Sequence, residues 1–254
     1  MNLIAFNKTY DLKVHFLEYN AVLAVVREWM KKIKKPLSKF SYPHISQELF
    51  SILNAKKSRK LYEILKSNQK EPLGKIGWNR SFDLSDAEWE NIFSLPFKLT
   101  QNTKLQWFQF RINHKILATN LFLHKIKKID TNICTFCIKE IETIEHIFWE
   151  CEVVQGLLEA FSTLCFSRIH KYITYSKKDF ILGSHVKSEK VKTLIALQIK
   201  YFIYSMRCAN NTPSLNGLMS SIKILYDINK IIAKKNNEQE KFDEAWKYWK
   251  NLFN

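Results

Sequence analysis

Cys134, Cys137, His146 and Cys151 fall in the order C-x2-C-x8-H-x4-C within the stretch NICTFCIKEIETIEHIFWEC. A tight C-x2-C turn can point two thiolates at one ion, and a following helix can bring an imidazole and a third thiolate. Four such donors close a tetrahedron and leave no position for water. The expected metal is therefore a structural Zn2+ and not an activator of a nucleophile. A chain that folds around this clip must bring the turn and the helix together within a few ångströms. Two other readings of the same residues stay open. Cys151 lies on an apolar stripe and suits a buried core thiol. Cys134 and Cys137 suit a redox pair, although Thr135 and Phe136 between them are not of the thioredoxin type and no βαβ pattern surrounds them. The spacing also sets a geometric problem. On an ideal helix starting at Ile144, His146 points ~140° away from Cys151. The helix is therefore loosened there, or begins after His146.

The rest of the chain reads as mostly α. Only five glycines and five prolines punctuate 254 residues, and 46% are hydrophobic, enough for a packed core. The expected architecture is helical segments flanking a small zinc knuckle made of a short β-hairpin plus a helix. Three regions follow: a basic helical region over 1–80, a basic helix pair with the zinc segment over 81–165, and a helical region over 166–254. Within the first, Arg27–Lys39, broken by Pro36, and Lys56–Lys60 are basic runs read as solvated faces. EPLGKIGWNR (71–80) reads as a linker. Ser85 with Glu88 has capping-box spacing, and Pro96 is expected to end the helix that follows. Ile144, Ile147, Phe148, Cys151, Val154, Leu158, Phe161 and Cys165 recur in steps of three and four, marking a core-facing helix. Cys165 and Cys208 read as ordinary buried thiols.

Charge points to a polyanionic partner. Forty Lys and Arg oppose twenty-four Asp and Glu, a formal net charge of +16, and nucleic acid is the commonest large polyanion. Between Glu90 and Asp130 there is no acidic residue and there are seven Lys or Arg. There Leu105, Ile112 and Ile116 share one side of a helix, with Phe108 at its edge. Lys104, Arg111 and Lys115 fall within a ~40° sector, flanked by Trp107 and His114. These five residues are the candidate nucleic-acid contacts: cations for phosphates, an indole or imidazole for a base. An ordinary amphipathic helix with a cationic outer face accounts for the same pattern. Thr119 or Asn120 is placed to cap a second short helix reaching Ile129.

The array WFQFRINHKILATNLFLHKI…CTFC…ETIEHIFWEC resembles the zinc-binding segment that follows the polymerase in LINE-type (non-LTR) retrotransposon proteins. Trp107, Arg111, His114, Lys115, Leu117 and Thr119 match the helix of that family. Cys134, Cys137, Glu142, Thr143, His146, Phe148 and Cys151 match its metal segment, and LSDAEWENIF (84–93) resembles its acidic tryptophan helix. The resemblance covers about 84–155. It implies a piece of a reverse transcriptase protein that binds element RNA or target DNA beside a polymerase domain. The chain carries no Asp-Asp dipeptide to hold two Mg2+ ions, so it reads as the C-terminal part without the polymerase core, and not as an enzyme. The competing function is a helical interaction module, or an inert transposon remnant in which zinc is only a fold clip. The N-terminus lacks a secretory pattern and the longest early apolar run, AVLAVV (21–26), is too short to span a bilayer. An intracellular chain with no membrane partner is expected, in the nucleus or a cytoplasmic ribonucleoprotein.

Overall fold

A computed structural model describes residues 3–10, 15–33, 71–184 and 186–253. The Lys56–Lys60 run, Pro36 and the rest of Arg27–Lys39 beyond residue 33 lie outside them. The chain divides into two compact units at Lys70/Glu71. In the first, α1 (Leu3–Tyr10) and α2 (Phe16–Ile33) are helices.

The second unit is a helical assembly built on one central rod. Its elements are α3 (Leu73–Asn79), α4 (Asp86–Leu99), α5 (Thr103–Asn113), α6 (Asn120–Lys125), α7 (Glu152–Ile169), α8 (Lys177–Leu182), α9 (Lys190–Cys208), α10 (Leu215–Lys235) and α11 (Gln239–Ala245), closed by a 3-10 turn at Trp249–Phe253. The central rod is α9, which packs against α4, α5, α8 and α10. Its sequence explains the position. Leu194, Ile195, Leu197, Ile199, Phe202 and Ile203 are all buried, and a helix apolar on most of its circumference must be covered on most sides. No helix of the described residues is long and apolar enough to cross a membrane.

Local signals explain several boundaries. Ser85 and Glu88 form the reciprocal capping box that starts α4. Thr119 starts α6 by accepting the amide of Phe122. Other expectations need correction. Pro96 does not end α4, which runs on to Leu99; its ring is buried in the core, where packing offsets the lost amide. The helix from Thr119 stops at Lys125 and does not reach Ile129. Residues 71–80 are no linker. They carry α3, and Trp78 is fully buried with its indole N–H donating to Ile112 O at 3.0 Å. Gly74 is what allows this. A Cβ there would sit 2.4 Å from Asn113 O, so only glycine lets α3 lie against the end of α5. No strand forms among the described residues. The expected hairpin shrinks to one antiparallel bridge, Ile133 to Ile141, carried by the amide of Cys134 donating to Glu140 O and that of Glu142 donating to Asn132 O, each at 2.8 Å.

Lys200 is buried in the middle of α9. Its Nζ donates to Gln109 Oε1 at 2.6 Å and to Ile181 O at 2.7 Å, with no carboxylate among its partners. Burial holds its pKa well below the ordinary 10.5, since desolvation disfavours the ammonium. In the unfolded chain this amine keeps its proton up to about that ordinary value. Between the lowered value and 10.5 the unfolded state therefore binds the extra proton, and stability rises with pH by up to about 1.4 kcal/mol per unit. Lys200→Met is expected to remove that slope. Denaturation of both proteins across mildly alkaline pH measures it; parallel curves would refute the neutral amine.

Candidate metal centre

Two adjacent pieces of backbone build the centre. The first is the turn at Cys134–Cys137. Ile138 closes it, with its amide donating to Cys134 O at 3.1 Å and its φ at +56°. That left-handed conformation is one a β-branched residue resists. The amide of Phe136 lies 3.4 Å from Cys134 Sγ, a donor aimed at the sulfur. The Cys134 amide donates to Glu140 O at 2.8 Å, and this anchors the turn from below.

The second piece solves the spacing problem set by the sequence. His146–Glu150 is a π-helical turn. The amide of Cys151 reaches back five residues to His146 O at 2.8 Å. A turn of that width brings residue 151 nearly back over residue 146, where an ideal α-helix would leave it far round the axis. Thr143 starts the turn by accepting the His146 amide at 2.8 Å. Cys151 then takes an extended conformation and begins α7. The nearby amides of Val153 and Val154, in the first turn of α7, favour its thiolate form. The periodic apolar run is thus two helical pieces with Cys151 at the joint.

The four ligand atoms lie within 4.8 Å of one another. Cys134 Sγ and Cys151 Sγ are 3.9 Å apart, and Cys137 Sγ is 3.4 Å from His146 Nε2. A tetrahedral ion with metal–sulfur bonds of about 2.3 Å sets its ligands about 3.8 Å apart. The donor set therefore fits a metal ion. Cys134, His146 and Cys151 are buried and Cys137 is half-buried. The close Cys134–Cys151 pair splits the proton affinity of its thiols. The bond to Cys151, with burial, pushes Cys134 up. The same bond holds Cys151 down, helped by the α7 amides and opposed by burial.

A buried carboxylate locks the centre to the rest of the fold. Glu142 Oε2 accepts from the Thr135 amide and hydroxyl, each at 3.0 Å, inside the cysteine turn. Its Oε1 accepts from the Asn120 amide at 2.8 Å and from Arg207 Nε and Nη2 at 3.0 Å. Glu142 thus joins the metal turn, the start of α6 and the end of α9. Arg207 also bonds the Asn120 side chain.

The five predicted nucleic-acid residues separate into two groups. Lys104, Trp107 and Arg111 are exposed on α5 and line one groove, whose opposite wall is Tyr201, Tyr204 and Cys208 of α9. Cys208 is exposed and not the buried thiol expected, because α9 ends with it. His114 and Lys115 lie elsewhere. The helix stops at Asn113, so the sector drawn for Lys104 and Arg111 does not extend to them. His114 sits between Phe110 and Phe93, at 4.1 and 5.1 Å between ring centres, and burial lowers its pKa. Lys115 is turned by its φ of +54°. Its Nζ lies 4.0 Å from the Trp78 ring centre, 3.1 Å from Gly77 O and 3.5 Å from Glu145. Burial lowers its pKa against the pull of Glu145. Ile116, placed on the core side by periodicity, is exposed for the same reason.

Sequence reading missed Arg207, Tyr201 and Tyr204. Arg207 had a signal: it continues the buried stripe Ile199–Ile203 at four-residue spacing, where a charge demands a partner. No protein-family model matches the chain, and no curated protein matches it. The reading of function rests on these residues.

Proposed function

We propose that the chain is a zinc-stabilised nucleic-acid-binding module of the kind that follows the polymerase in non-LTR retrotransposon reverse transcriptase proteins. Three thiolates and one imidazole in a buried tetrahedron suit Zn2+ better than harder cations, which prefer oxygen donors. With all four positions taken by protein, the ion supplies folding energy and no reactive water. The ligands hold the turn and the start of α7 together. Through Glu142 and Arg207 they also brace the end of α9, which forms one wall of the groove.

The observation that carries the reading is the groove itself. An exposed tryptophan lies between two cations, Lys104 and Arg111, and among the described residues no carboxylate lines it. Cations with an aromatic platform match a phosphate backbone with accessible bases. The net charge of +16 adds long-range attraction.

The zinc-loaded chain is expected to bind a labelled mixed-sequence RNA or DNA strand, with affinity falling steeply as salt rises. Replacing Lys104 and Arg111 together with serine should weaken binding by about tenfold or more at low salt and reduce the salt slope by about 1.5 to 2. Fluorescence anisotropy across a salt series reads both. Binding no stronger than that of an uncharged control protein, or an unaltered double variant, would refute the function.

A further inference from the structure

We infer that the bound nucleic acid is a single strand, and that it continues past Lys104 into a neighbouring groove where Phe97 receives further bases. This rests on the nucleic-acid reading of the Trp107 groove. Lys104 and Tyr201 line both grooves, so the two are one continuous surface with a cation at the junction. On one side Trp107 is 60% exposed, and on the other Phe97 is 61% exposed. Phe97 is the third residue from the end of α4, next to the exposed Lys98. Ile224 and Ile228 of α10, both exposed, form an apolar floor across from it.

Charge fits the same occupant. Lys98, Lys190 and Lys241 line the second groove, and its one carboxylate among the described residues, Glu238, is bonded to Lys241 at 2.9 Å. Lys98 and Lys104 make no ion pair among the described residues. Two exposed aromatic rings on either side of a lysine, Trp107 braced edge-on by Phe110 at 5.3 Å between ring centres, suit a strand whose bases are free. A duplex keeps its base faces inside the stack and offers only edges and phosphates. Unpaired bases can lie on such rings, each worth about 1–3 kcal/mol by alanine substitution.

The test uses the zinc-loaded full chain with RNA and DNA strands of about 4 and about 12 nucleotides, and duplexes of the longer length. The longer single strand should bind at least about tenfold tighter than its duplex. Phe97→Ala should weaken the longer strand by about tenfold and leave the shorter one unchanged, whereas Trp107→Ala should weaken both. Alkylation of Cys208, which lines the Trp107 groove, should slow when the longer strand is bound, in the wild type and in Phe97→Ala alike. Equal binding of the duplex overturns the inference. So does a longer strand indifferent to Phe97→Ala, the result expected if the apolar groove receives an acidic protein helix. In both cases loss of binding on exchanging Lys104 and Arg111 would leave the nucleic-acid reading standing. Absence of any binding at low salt would remove both.

Discussion

Exchanging Cys151 for serine is expected to abolish stable metal binding and to lower the melting temperature by about 10 °C or more. A hydroxyl stays protonated at neutral pH and is a poor partner for an ion that takes its folding energy from thiolates. The sulfur also stands at the joint between the π turn and α7, so its loss frees both pieces. A cost above about 4 kcal/mol is expected, at the large end for one substitution, and for a unit of this size each kcal/mol moves the midpoint by about 2–4 °C. Cys165→Ser is the control. That thiol is also buried, and burial pushes it up to about 12, but it is not one of the four residues of the cluster. It should lose modest stability and keep one zinc per chain. Metal analysis after dialysis, with calorimetry, separates the two. A Cys151→Ser protein that keeps a full equivalent of zinc would show that the tetrahedron is not the binding site.

Glu142→Ala should cost about 3–5 kcal/mol, although the carboxylate touches no ligand side chain. Its removal leaves the Arg207 guanidinium buried and unpaired, and an uncompensated buried charge is costlier than the intact pair is stabilising. Glu142→Gln should recover little. Both carboxylate oxygens accept from donors, and an amide must turn its own N–H groups against one set. Replacing Glu142 and Arg207 together with methionine should cost less than the two single changes summed, because no charge is stranded. Zinc affinity should fall by about tenfold to a hundredfold in Glu142→Ala, as the Thr135 end of the turn loosens. Denaturant titration and competition with a zinc chelator measure the two effects. Unchanged stability in Glu142→Gln would show that the bonds around this carboxylate are replaceable.

What could be read from the chain follows from how far each contact reaches along it. The four residues of the Cys/His cluster lie within eighteen residues of sequence, and the Ser85–Glu88 cap within four, so spacing alone could single them out. The helical content was legible because few glycines or prolines interrupt the apolar periodicity. Errors arose where a distant segment decides. Residues 71–80 contain two glycines and a proline and read as a connection, yet the end of α5 gives Trp78 a pocket and Gly74 a flat seat. Lys115 has the right phase for a helix that has already ended. Glu142 drew notice only through a motif, since its partner Arg207 lies sixty-five residues away and nothing local announces the pair.

The widened turn at His146–Glu150 has a consequence for how this segment can vary in length. Deleting a single residue between His146 and Cys151 would leave the cysteine four residues on along an ordinary α-helix, about 40° round the axis from the histidine, so the π turn absorbs one residue and the third sulfur stays on the histidine's face without it. The eight residues between Cys137 and His146 face a looser demand at the exposed Lys139–Glu140 tip, where an added residue would bulge into solvent. Related chains that hold an ion here should therefore differ in length at that tip, and between the histidine and the last cysteine carry either four residues on a π turn or three on an α turn.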